Sequence, residues 1–187
     1  NNAHRGHTTS DPSAARRGAD DRRRLADFDL GPHQLAGRSL LPAPAASEGH
    51  DPWFDFLADL TSRGLRSPVL VITDGAAGLV SAVEHAFPAA VRQRCLVHRA
   101  RNVLAKVPVH AQAEVKAAYW QIFDDIQLPP GQGAVDEAAQ RAAAFAARYE
   151  HSYPAAVACL TSTLAELTVH LRFPVEHWQR IRHTNLL

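Results

Sequence analysis

Methionine is absent from this 187-residue chain, even from position 1, where Asn1 stands. Initiator removal is disfavoured ahead of a side chain as large as asparagine, so the chain is expected to be a fragment of a longer reading frame. Cysteine is almost absent: Cys95 and Cys159 lie far apart, with no secretory leader ahead of them. That argues against a disulfide framework and for reduced thiols in a cytoplasmic protein. Long apolar runs are missing as well. No window approaches the roughly 18 residues a membrane span requires, and the arginine-rich start is no signal peptide, so no membrane partner is expected. A large net charge is also lacking. At +1 the chain as a whole is no polybasic nucleic-acid binder. Its basic charge is local, with Arg16, Arg17, Arg22, Arg23 and Arg24 near the start and Arg92, Arg94, Arg99 and Arg101 around a Cys/His segment.

What is present is 46% hydrophobic residues, enough for the core of one ordinary domain. Residues 1–46 scatter Gly, Pro, Ser and Arg without a sustained period and are expected to be disordered or degenerate. From Ser47 the pattern becomes helical. A cap at Ser47 or Asp51, Pro52 in the first turn, and Trp53, Phe56, Leu57 and Leu60 at helical spacing lead to a stop at Gly64. Pro68 then opens VLVIT, a β-branched run that suits a strand buried on both faces. A helix is predicted from about Gly78 to Ala86, then a strand VRQRCLV, then a helix ARNVLAKVP stopped by Pro108. This alternation is that of a parallel α/β sheet. Alanine-rich helical patterns follow at about 111–126, 134–149 and 154–168, broken by PPGQG, and read as a helical insertion. The last stretch, HLRFPVEHWQRIRHTNLL, interleaves Arg180 and Arg182 with Trp178, a composition that suits either phosphate tracking with base stacking or a solvated helix end with one core tryptophan.

Asp74, at the tip of VLVIT and followed by Gly75, is the candidate metal ligand, because a strand end presents a carboxylate to solvent. The competing reading is an Asp-Gly turn. Such a poised ligand implies that Asp74→Ala leaves stability nearly unchanged. Cys95 and His98 could be half a zinc site, but no second pair stands at ligand spacing. A local role near the active site and a purely structural role both stay open. Arg99, Arg101 and Asn102 are candidates for phosphate contact, since guanidinium forks match phosphate oxygens; a solvated helix start is the alternative. His170, His177 and His183 fit no single ligand face.

The string TDGAAGLVSAVEHAFPAAVRQRCLVHRARNVLAKVP, with PWFDFLADLTSRGL before it and YPAAVACL and LRFPVEHWQRIRHTN after it, resembles the bacterial Mutator-type transposases of insertion sequences. The resemblance covers about Ser47 to Leu187. It implies an α/β, ribonuclease H-like core with an Asp, Asp, Glu triad and an all-α insertion before the Glu. On that pattern residues 47–110 are a partial core, 111–169 the insertion, and 170–187 the start of the returning core segment. Asp74 takes the place of the second Asp, and Cys95 and His98 that of the Cys-x-x-His signature. The third acid follows a Thr-Asn motif, here Thr184-Asn185, and is expected just beyond Leu187. For the first Asp, Asp27 and Asp29 are the only upstream acids with apolar neighbours on both sides, and the family pattern is not recognisable around them.

The resemblance further implies DNA cleavage and strand transfer with two Mg²⁺ or Mn²⁺ ions, DNA and possible further copies of the chain as partners, and cytoplasmic, nucleoid-associated work. Arg94, Arg99, Arg101, Asn102, Arg180 and Arg182, basic or polar groups suited to phosphate, are the DNA-contacting candidates. One aspartate does not hold two mutually repelling hard cations, so this chain alone is expected to bind metal weakly and to turn over little or no DNA. Two alternatives stand beside the transposase reading: a catalytically dead remnant with residual DNA binding, and a metal-independent α/β interaction module in which Asp74 is only a turn residue.

Overall fold

The computed structural model describes residues 50–184. The expectations for residues 1–46, Asp27 and Asp29 included, and for Asn185 to Leu187 lie outside the described residues.

The first helix, α1 (His50–Ser62), ends where Gly64 takes a positive φ of 92°. Gly64 N–H donates to the Thr61 carbonyl and Leu65 N–H to that of Leu60, the pair of bonds that closes a helix on a left-handed glycine. Strand β1 (Leu70–Thr73) leads into α2 (Ala77–Ala86), which returns to β2 (Val91–Arg94). The two strands pair in parallel, Leu70 with Val91 through Thr73 with Arg94, so the predicted strand–helix–strand crossover is present. Among the described residues these two strands make the whole sheet.

Two expectations change here. VLVIT was expected to be buried on both faces, yet Leu70, Val71 and Ile72 are only half-buried and Thr73 alone is fully buried. The run VRQRCLV was expected to be strand throughout, but extended structure stops at Arg94. Cys95 keeps extended dihedrals and donates its N–H to the Thr73 carbonyl at 2.8 Å, and α3 (Leu96–Leu104) starts at the next residue. Leu96, Ala100, Val103 and Val107 then fall on one buried stripe at helical spacing. Arg99 sits inside that stripe, which hid the period from a reading that expects arginine to face water.

A 3₁₀ turn (Val109–Ala111) joins α3 to α4 (Gln112–Gln121), followed by α5 (Gln132–Tyr149) and α6 (Pro154–Thr161). Gly131, in PPGQG, has φ 132° and donates its N–H to the Leu171 carbonyl, so the expected break is real. The pattern at 154–168 was expected to be one helix and is two, α6 and the short α7 (Leu164–Leu167). Thr161 and Ser162 donate their hydroxyls back to the carbonyls of Val157 and Cys159, the competition with backbone bonding that weakens helix interiors. Two 3₁₀ turns (Val169–Arg172 and Val175–His177) and α8 (Trp178–Ile181) complete the described chain.

Apolar side chains gather in two clusters. One lies between α1 and α2 around Leu57, Ala82, Val83 and Phe87, with Trp53, Phe56, Leu60 and Val71 packed against it. The other joins α3 to α4, α5 and α6, with Leu96, Val103, Tyr119, Ile122 and Leu160 fully enclosed. The helices of 111–169 therefore share a core with α3 instead of closing on themselves.

Candidate functional site

Asp74 leaves the end of β1 exposed to solvent. Its Oδ1 accepts the Ala76 N–H at 2.9 Å, a two-residue Asx turn that sets the chain for α2. The carboxylate also lies at the N-terminus of that ten-residue helix, where a negative charge is favoured. One oxygen is thus engaged with backbone, and no ion pair is made to it within the described residues.

Gly75 has φ 91°, a conformation that disfavours side chains. A Cβ built there would lie 2.1 Å from Arg94 Cζ, so the guanidinium rests directly over the Gly75 backbone. The register explains this: Arg94 pairs with Thr73, one residue before Asp74. Desolvation by burial, then the Arg99 charge, push the Arg94 pKa down, while Glu166 and Asp74 pull it up. No carboxylate bonds Arg94 directly among the described residues, and its buried Nε has no partner. On the same edge, Arg92 is neutralised by Glu84 at 3.1 Å and Glu166 at 3.2 Å. Among the described residues Arg94 is therefore a cation near enough to feel the Asp74 charge, with no carboxylate in bonding contact.

Strand alternation turns Gln93 to the other face, where it is fully buried. Its Nε2 donates to the carbonyls of Arg94 and Leu167, and its Oε1 accepts the His170 N–H at 2.7 Å. This side chain pins β2 to the segment following α6. Sequence reasoning missed it, although a glutamine between two arginines in a strand is a polar group facing inward. His170 is itself enclosed; desolvation by burial pushes its pKa down to about 3, against the bond to the Leu167 carbonyl, with Arg182 adding to the depression.

Cys95 and His98 are brought together: Sγ and Nδ1 are 3.1 Å apart. The Cys95 thiol is fully buried, and the Thr184 N–H and hydroxyl approach its sulfur at 3.4 and 3.6 Å. Both cysteines are free thiols. Within the described residues no group of three His, Cys, Asp or Glu is placed to hold a metal ion.

The expected DNA-contacting residues separate. Arg101, Asn102 and Arg180 are exposed. Arg99, expected at the surface, is 7% exposed and donates to Cys159 Sγ at 3.2 Å, because it occupies the inward stripe of α3. Arg182 bonds Asp124 Oδ1 at 2.6 Å and lies over the Trp120 ring, so its guanidinium is engaged in the fold. Trp178 is buried and donates its indole N–H to the Phe173 carbonyl, which makes it a core tryptophan and removes it as a stacking platform.

Within the described residues no helix is long and apolar enough to cross a membrane. A family model described as "Transposase, Mutator family" matches residues 39–187. The chain is 39% identical over 136 residues to "Transposase for insertion sequence element IST2" of Acidithiobacillus ferrooxidans, covering 72% of this chain and 44% of that protein. It is 39% identical over 138 residues to "Transposase for insertion sequence element IS6120" of Mycolicibacterium smegmatis, covering 74% and 41%. It is 33% identical over 144 residues to "Transposase for insertion sequence element ISRM5" of Rhizobium meliloti (strain 1021), covering 76% and 34%. The chain spans about two fifths of the length of the first two relatives.

Proposed function

This chain belongs to the Mutator family of transposases, and from that premise we propose that it carries one acid of a DNA strand-transfer site, Asp74, together with the cation that receives the DNA phosphate, Arg94. The parent enzyme cuts and joins DNA at insertion-sequence ends, on a ribonuclease H-like core of which β1, α2 and β2 are a part, with residues 111–169 as its inserted helices. It acts on the nucleoid, in the cytoplasm, with DNA as its partner and further copies of the same chain on paired ends.

The observation that carries this reading is the juxtaposition at the strand tips. An exposed carboxylate at the tip of β1 lies within electrostatic reach of the Arg94 guanidinium, which occupies the space that a side chain at Gly75 would take and bonds no carboxylate among the described residues. Guanidinium forks bind phosphate oxygens, while a carboxylate beside them suits the hard divalent cation that accompanies phosphate. The described residues do not by themselves fit a two-ion site, because Asp74 is a single ligand with one oxygen turned to Ala76 N–H. In the parent enzyme, Asp74 supplies one carboxylate toward Mg²⁺ or Mn²⁺ and the remaining acids come from outside the described residues. The chain alone binds metal weakly and is inactive. Arg101, Asn102 and Arg180 extend the basic surface along which a duplex can lie.

A second reading, a metal-independent module in which Asp74 only starts α2, is favoured by the 2.9 Å bond to Ala76 N–H. Asp74→Asn separates the two, since the amide oxygen keeps the turn and the metal ligand is lost. With millimolar Mn²⁺, the Gly75 and Ala76 amide resonances of the parent sequence are expected to broaden and those of Asp74→Asn to stay sharp. Arg94→Ala is expected to weaken binding of a short DNA duplex and flatten its salt dependence. Sharp resonances in both proteins, together with unchanged duplex binding, would end the strand-transfer reading.

A further inference from the structure

Arg92 has two carboxylate neighbours, and one of them holds it poorly. Its Nη2 donates to Glu84 Oε1 on α2 at 3.1 Å, and its Nη1 stands 3.2 Å from Glu166 Oε2 on α7. The second approach is not an aligned hydrogen bond: Glu166 Oε2 is buried without a hydrogen-bond partner among the described residues, and so is Arg92 Nε. An ion pair that leaves a buried acceptor and a buried donor both unmet is held by charge alone, so a ligand that bonds the guanidinium fork can replace it. We propose that Arg92 is a second phosphate-binding cation beside Arg94, and that Glu166 is the carboxylate a DNA phosphate displaces from it. This deepens the strand-transfer reading and rests on it for the role of Arg94.

Strand geometry puts the two arginines on one face. Arg92 and Arg94 are two residues apart on β2, with Gln93 between them turned to the opposite, buried side. Two residues of strand span about 6.6 Å, close to the interval between successive phosphates of one DNA strand, so a single backbone can meet both guanidinium groups. Glu166 is near enough to act on both cations, bonding neither. Its place is fixed from behind: Gln93 Nε2 donates to the Leu167 carbonyl at 3.0 Å, which ties the residue after Glu166 to β2. The helices of 111–169 therefore supply the counter-charge that the strand itself lacks. Both partners of the Arg92–Glu166 pair keep some solvent access, and ion pairs in such settings contribute little, so exchange for phosphate meets a small barrier in free energy. Glu84 does not block the exchange, because it uses one of five guanidinium donors. Arg99 takes no part, being enclosed against Cys159.

The probe is a short DNA duplex, with binding to the chain read by fluorescence anisotropy across a range of salt. Arg92→Gln is expected to weaken binding and to make the slope of log K against log salt shallower by about 0.9, one phosphate contact fewer. Glu166→Gln keeps the shape of the side chain and removes its charge; it is expected to tighten binding about threefold, and that gain is expected to vanish when Arg92→Gln is added. In the unaltered chain the Arg92 Nε–H resonance is expected to shift as duplex is added. A pair that only ties α7 to β2 would lower the denaturant midpoint in both variants and leave the salt slope and the Nε–H resonance as they were, and that result overturns the proposal. Arg94→Ala in the same assay separates the two ideas. If it weakens binding while the Arg92 and Glu166 variants do not change it, the strand-transfer reading is kept and this inference is lost; if Arg94→Ala leaves binding unchanged, the strand-transfer reading itself fails.

Discussion

Around α1 and α2 the enclosed side chains are Leu57, Ala82, Val83 and Phe87, and the apolar groups packed against them stay partly wet. Between α3 and α6 a larger set is sealed, including aromatics such as Tyr119, whose hydroxyl donates to the Leu96 carbonyl and whose pKa burial drives upward. The proposed site lies on the thinner side. Asp74, Gly75 and Arg94 project from a two-stranded sheet whose register depends on its attachment to the thicker region through Gln93 and through the contacts of Cys95. The candidate acid on a lightly packed strand is kept in place by pins to a well-packed neighbour, not by its own core.

The most direct way to break this comparison is to cut a cavity in each cluster. Leu160→Ala is expected to lower the unfolding free energy by about 4 kcal/mol and Leu57→Ala by about 2 kcal/mol, read from denaturant melts. Equal losses would erase the distinction between the two regions. Removing the pin comes next. Gln93→Ala leaves the His170 N–H buried without a partner and removes one of the two contacts to the Leu167 carbonyl, and is expected to lose about 2 to 3 kcal/mol. A loss within error of zero would show that the strands hold their place unaided.

Acid sharpens the contrast at the same junction. An unfolded imidazole titrates near 6.5, and folded His170 only near 3, so below 6.5 the unfolded chain takes up a proton that the folded chain refuses. Stability present at neutral pH is therefore lost as pH falls from about 6.5 toward 3, by about 1 kcal/mol per pH unit. His170→Phe is expected to flatten that slope, and a slope left intact would move the cause elsewhere. The smallest effect belongs to Asp74. A strand-tip ligand free of structural duty predicts no stability change for Asp74→Ala, but the bond to Ala76 N–H makes a loss of about 1 kcal/mol the expected outcome, with Asp74→Asn within a few tenths. Equal melting of the two variants would return Asp74 to a purely functional role.

Much of the fold was legible where one physical cause acts over a short stretch. The β-branched run before Asp74 is a strand as read, though only half-buried, and the Gly64 stop and the PPGQG break stand as read. The reading failed where a distant partner decides. Arg99 and Arg182 read as surface cations because arginine normally faces water, yet one lies against Cys159 and the other binds Asp124 across 58 residues. The strand through Cys95–Val97 failed for a related reason: an inward arginine concealed the helical stripe of α3.

Local rules of propensity, turn chemistry and periodicity were enough to assign Asp74 to a strand tip and to place the helices after it, since each depends on neighbours within a few residues. The meeting of Arg94 with Gly75, the burial of Gln93, and the approach of Thr184 to Cys95 were decided only when the chain folded. Those contacts come from strand register and from surfaces far apart in sequence, whose joint burial no short window of residues specifies.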